Sequence, residues 1–76
     1  MATGVELNLL VEKVKNLSLS RREKEVIFYW INGWNYKDIA KEMKLAETTI
    51  RTYIYRINIK MNTRSKVELL LVVLEI

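Results

Sequence analysis

The chain has no cysteine, no histidine and no proline, and only two glycines among its 76 residues. Without cysteine there is no disulfide framework and no thiolate chemistry. With histidine also missing, a structural zinc site would need carboxylates alone, an uncommon ligand set, so no metal and no cofactor are expected. Proton transfer would fall to carboxylates, lysines or tyrosines, and this inventory argues against an enzyme. Long apolar runs are missing too. The stretch 69–74 is far shorter than the roughly 20 residues a bilayer core demands, so no membrane span is expected. No basic N-terminal stretch precedes an apolar one, so no secretory signal is read, and the expected location is cytoplasmic.

A chain this short has room for one domain and buries only about 60% of the surface its unfolded form exposes. Domains of this size without staples rely on tight helix packing or on association. Thirteen Lys and Arg stand against nine Asp and Glu, a net charge of +4 with an isoelectric point near 9.5. Such a balance suits a polyanionic partner, although ordinary surface charge would look the same by itself.

Apolar residues recur at helical spacing throughout, which predicts an all-α fold with short turns. Leu7, Leu10, Val11, Val14 and Leu17 form one stripe over 6–17, an amphipathic helix in an N-terminal extension (1–18) that precedes the main domain (19–76). Ser20 and Glu23 have capping-box spacing, with Leu19 just before them. The helix they open runs through Val26, Ile27, Trp30 and Ile31, and Gly33 is placed for the left-handed residue that ends many helices. Asn35 can cap a short helix over 36–43 with Ile39, Ala40 and Met43 inward. Lys37, Lys41 and Lys44 then fall on the opposite side.

After a turn at 44–46, a helix over 47–61 turns Ile50, Ile54, Ile57 and Met61 inward. At about 100° per residue, the face turned away holds Thr48, Thr52, Tyr55 and Ile59, flanked by Arg51 and Arg56. Ile59 is an odd member of such a face. Thr63 can cap a last helix from 64 to the end, which is apolar nearly all round and so is expected to be covered on more than one side, by the domain and by a second copy.

Two consecutive helices joined by a three- or four-residue turn, the second with a polar and cationic outer face, form the helix-turn-helix pattern. Arginine can grip a guanine edge with two donors, small hydroxylated residues approach bases or phosphates closely, and lysines neutralise phosphates. Residues 37–66 hold eight basic and three acidic side chains, a local excess larger than that of the whole chain. The charge is concentrated where a DNA footprint needs it.

The residues Leu19-Ser20-Arg21-Arg22-Glu23-Lys24-Glu25-Val26-Ile27 resemble the L-T-x-R-E-x-E-V-L opening of the LuxR/GerE-type helix-turn-helix domain. In the same register Gly33 falls on the family glycine, Tyr36-Lys37-Asp38-Ile39-Ala40 on [NY]-K-E-I-A, Thr49-Ile50-Arg51 on T-V-K, and residues 60–66 on K-L-[GN]-V-x-[NS]-R. The likeness covers about 19–70. It implies a four-helix domain, here with an extra N-terminal helix, acting as a stand-alone transcriptional regulator on double-stranded DNA. By position it implies Arg51, Thr52 and Tyr55 at base edges, and Lys37, Thr48, Thr49, Tyr53, Arg56 and Lys60 at phosphates. It also implies Val67, Leu70, Leu71 and Leu74 at a homodimer seam.

There are departures. Ala46 stands where the family usually caps the third helix with Ser or Thr, Tyr53 replaces a histidine, Lys66 an arginine, and Thr63 a packed valine. Two other readings stay open: a module of this fold that pairs with a larger transcription factor without touching DNA, and a fragment similar to sigma-factor region 4. A protein partner in the transcription machinery fits either.

Overall fold

The computed structural model describes residues 12–75, and these contain helices and no strand. Leu7, Leu10 and Val11 of the expected amphipathic stripe lie outside the described residues. After a helical stretch at 12–15 come α1 (Arg21–Ile31), α2 (Tyr36–Met43), α3 (Glu47–Met61) and α4 (Lys66–Glu75).

The start of α1 is the capping box read from the sequence. The Glu23 amide donates to Ser20 Oγ at 3.2 Å, and the Ser20 amide donates to Glu23 Oε1 at 2.8 Å. Asn35 caps α2 by accepting from the Asp38 amide at 2.8 Å. The last helix departs from expectation. It starts at Lys66, not Arg64, and its first turn is capped by Ser65, whose Oγ accepts from the Glu68 amide. Thr63 is buried instead, its hydroxyl donating to Asn58 Oδ1 at 2.6 Å. A hydroxyl satisfied inside the fold is not free to cap a helix three residues on.

Three helices end in one device. The amides of Trp34, Leu45 and Thr63 each donate to a carbonyl five residues back, on Tyr29, Ala40 and Asn58, while the preceding amides of Gly33, Lys44 and Asn62 donate three residues back. This is the Schellman arrangement, which needs a left-handed residue at the penultimate position. Gly33, Lys44 and Asn62 occupy it, with φ of 97°, 57° and 56°. The side-chain contact that accompanies the motif differs between the first and the third. Trp34 lies against Tyr29, ring centroids 4.6 Å apart, whereas Thr63 and Asn58 make the hydrogen bond already described.

The core takes Val26, Ile27 and Trp30 from α1, Ile39 and Ala40 from α2, Ile50, Ile54 and Ile57 from α3, and Leu69 and Val73 from α4. Burying each large aliphatic side chain contributes about 1.5–3 kcal/mol, and this set locks α3 against α1 and α2 at once. Val14 and Leu17 belong to the same core, so the segment before α1 is packed onto the domain. Lys13 extends from it to donate to the Leu74 carbonyl at 2.6 Å, a cation on the negative end of α4.

Candidate nucleic-acid interface

Lys44 and Leu45 turn the chain between α2 and α3, so the two helices pack together with Ile39, Ala40, Ile50 and Ile54 in the common core and the far side of α3 is left uncovered. Ala46 is the N-cap of α3 and makes no side-chain cap bond. The amides of Thr49 and Ile50 reach only its carbonyl, and Glu47 supplies the negative charge that a helix start favours.

The inward stripe of α3 is Ile50, Ile54 and Ile57, with Met61 partly buried against the core. On the opposite side Thr48, Thr52, Tyr55, Arg56 and Ile59 are exposed. Tyr55 is 67% and Ile59 60% accessible, unusual openness for apolar surface of this size. The Thr52 hydroxyl donates to the Thr48 carbonyl at 3.0 Å, which turns its free lone pairs outward. Thr49 and Tyr53 sit lower, half-buried on the flank. With Thr52 and Arg56 they border a shallow hollow of about 180 Å³, in which hydroxyls and one guanidinium converge.

Arg51 occupies the other flank. Its Cζ lies 4.9 Å from the centre of the Tyr36 ring, and its Nη2 is 3.8 Å from Glu47 Oε1. On α2, Lys37 and Lys41 are exposed, and Lys44 is exposed at the left-handed turn rather than inside the helix. Lys37 stands in the first turn of α2, adding its charge to the positive end of that helix.

Lys60 has a different environment from the rest. Its ammonium donates to Glu23 Oε1 at 2.7 Å, and Glu23 is nearly fully buried. Burial alone would raise the Glu23 pKa. The bonds from Lys60 and from the Ser20 amide and hydroxyl outweigh it and hold the carboxyl below its ordinary value of 4.5. The Lys60 charge is therefore paired with α1, while about half of its side chain stays in solvent. Sequence reading found the capping role of Glu23 and missed this second one, because nothing in a capping box signals a partner 37 positions away.

Of the seam residues, Val67, Leu71 and Leu74 are exposed, at 69%, 53% and 51%, while Leu70 is half-buried. They lie on the side of α4 turned away from Leu69 and Val73. Among the described residues no helix is long and apolar enough to cross a membrane.

Residues 17–73 match the family described as "Bacterial regulatory proteins, luxR family". The chain is 39% identical over 56 residues to the probable HTH-type transcriptional regulator GfsR of Streptomyces halstedii. It is 46% identical over 48 residues to a putative transcriptional regulator of Pseudomonas aeruginosa, and 38% over 50 residues to the transcriptional regulatory protein DesR of Bacillus subtilis. These alignments take in 74%, 63% and 66% of this chain but only 23%, 23% and 25% of the relatives. The chain thus spans about a quarter of the length of each relative's sequence. No solved structure matches it.

Proposed function

The chain belongs to the luxR family of bacterial regulatory proteins, and from that premise we propose that it binds double-stranded DNA in a sequence-specific manner as a homodimer, with α3 in the major groove. The observation that carries this reading is the uncovered outer face of α3, where Thr48, Thr52, Tyr55 and Arg56 stand exposed, together with the exposed Lys37, Lys41 and Lys44 cations of the preceding helix and its turn. Arg51, Thr52 and Tyr55 meet base edges in this arrangement. Lys37, Thr48, Thr49, Tyr53 and Arg56 hold phosphates, the last three from around the shallow hollow. Lys60 acts at one remove, by fixing α3 to α1. Such a protein works beside the chromosome, in the cytoplasm.

The dimer forms through α4, whose Val67, Leu71 and Leu74 would otherwise leave an apolar stripe in water. That same stripe, with the uncapped start at Ala46, favours a second reading: α4 pairs with a larger transcription factor, and DNA is not touched.

Binding to mixed genomic fragments across a salt series separates the two. Affinity falls linearly with log[salt], by about 0.9 per phosphate neutralised, and selection from randomised duplexes yields a defined site. A folded protein that retains no duplex at low salt overturns the DNA reading and leaves the partner-pairing one.

A further inference from the structure

Arg51 is not a free side chain on the α3 surface. It is the last member of a run of aromatic and cation–π contacts drawn from all four helices. The Lys66 ammonium of α4 sits 5.6 Å from the Trp30 ring centre. Trp30 in α1 stacks on Tyr36 of α2, centroids 6.5 Å apart and planes 23° apart. Tyr36 in turn carries the Arg51 guanidinium at 4.9 Å. Trp30 is buried in the core, so Tyr36 is backed by a ring that cannot yield. Glu47, one turn earlier on α3, adds its charge beside the same guanidinium, but at 3.8 Å it is too far to take a hydrogen bond.

We propose that Tyr36, backed by Trp30, is a positioning residue that presents Arg51 as a planar fork to a guanine, so that preference for a G·C pair depends on a ring that touches no base. The inference rests on the DNA-binding reading above and names the base that its arginine takes. A guanidinium held over a ring by a cation–π contact makes no conventional hydrogen bond there, so its N–H donors stay available. Guanine is the base whose major-groove edge offers two adjacent acceptors, O6 and N7, to such a fork. Stacking also removes rotamer freedom before DNA arrives, so less is lost when the contact forms. Of the three residues placed at base edges, neither Thr52 nor Tyr55 carries a pair of parallel donors, which leaves guanine discrimination among them to Arg51.

The test compares the wild-type protein with Tyr36→Leu, Tyr36→Phe, Arg51→Ala and Arg51→Lys. Duplex selection locates the guanine, and competition binding then measures G·C against A·T and against 7-deazaguanine, which lacks N7, at that position. Wild type and Tyr36→Phe discriminate by about 5- to 150-fold, the range for a good bidentate contact. Arg51→Ala abolishes the preference. Tyr36→Leu reduces it by about 2- to 5-fold, the worth of an exposed cation–π contact, and leaves the salt slope unchanged. Loss of the ring-current shift on the Arg51 δ protons in Tyr36→Leu reports the stack in free protein.

Undiminished discrimination in a folded Tyr36→Leu, with Arg51→Ala losing it, overturns the positioning role while the base contact stands. Undiminished discrimination in Arg51→Ala overturns the Arg51 assignment itself. Should Tyr36→Leu fail to fold, Arg51→Lys decides. It keeps the charge but not the planar fork, so wild-type guanine preference in that variant overturns the proposal.

Discussion

Lys60 and Glu23 meet at 2.7 Å, which ties the last turns of α3 to the first turn of α1 by one charged hydrogen bond. The Glu23 carboxylate is buried and also accepts from the Ser20 amide. Lys60 keeps about half of its side chain in solvent. The two ends of the pair therefore respond differently to loss of the partner.

Lys60→Met should destabilise the domain more than Glu23→Gln. The first leaves a buried carboxylate with only its capping bonds, and an under-satisfied buried charge is the expensive side of the exchange. The second leaves an ammonium that water reaches, and Gln can still accept from Ser20. The expected losses are about 2–3 and about 1–2 kcal/mol, read from urea midpoints at neutral pH. Equal losses would mean that the pair matters only through its charge count.

The same carboxyl sets an acid limit. Its folded pKa lies below the ordinary 4.5, so its contribution to stability is fully present above that value and is lost as pH falls through the lower folded one. Wild type should lose stability on acidification below about pH 5 more steeply than Glu23→Gln. Parallel curves for the two proteins would assign the acid sensitivity to other carboxylates.

The turn before α3 carries two local imperfections, and each is a stabilising mutation waiting to be made. Lys44 adopts φ 57°, where a non-glycine residue is strained by about 1 kcal/mol. Ala46 leaves the start of α3 without a side-chain cap, a loss of typically about 1 kcal/mol. Lys44→Gly and Ala46→Ser should each raise the thermal midpoint by several degrees. Their effects on DNA should be opposed: Lys44→Gly removes a cation, whereas Ala46→Ser adds a hydroxyl near the backbone.

These two residues also mark the boundary of what could be read from the chain. The four helices and their inward stripes were legible because Val26, Ile39, Ile50, Ile57 and their neighbours repeat every three or four residues, and because Ser20–Glu23 and Gly33 punctuate them. The ends of α2 and α3 were placed too, at Met43 and Met61, but the left-handed conformation of Lys44 and Asn62 that makes them was not, since neither side chain advertises it as glycine does. The misplaced start of α4 has a similar cause. Thr63 and Ser65 are equally good caps as residue types, and only the Asn58 side chain, five residues back, decides between them. Arg51 over Tyr36 and Lys60 on Glu23 were invisible for a simpler reason: both depend on which way one helix faces another, and periodicity within a helix does not contain that.

Lys37→Ala and Arg56→Ala should weaken binding to all duplexes alike and lower the salt slope by about 1 each, the signature of a lost phosphate contact. Lys60→Ala should leave the slope unchanged, because its ammonium is engaged by Glu23. A slope reduced by Lys60→Ala would mean that the ion pair opens on DNA and the lysine turns to a phosphate.

The exposed side of α4 makes the last prediction, and the burial pattern dictates which substitutions can test it. Leu69 and Val73 are fully buried, so a charge there would unfold the domain and say nothing about association. Leu70 is half-buried and ambiguous for the same reason. Leu71 and Leu74 are more than half exposed, so Leu71→Glu and Leu74→Glu should leave helix content and thermal midpoint close to wild type while converting dimer to monomer in sedimentation. A two-fold dimer of this kind engages half-sites about 10–10.5 bp apart. Inserting five base pairs between them should turn one half-site to the opposite side of the duplex and weaken wild-type binding, while the Leu71→Glu monomer, which holds one half-site at a time, should be indifferent to the insertion. An unchanged dimer in both α4 variants would move the interface away from α4. A wild-type protein equally indifferent to spacing would show that the two half-sites are not held by one rigid pair.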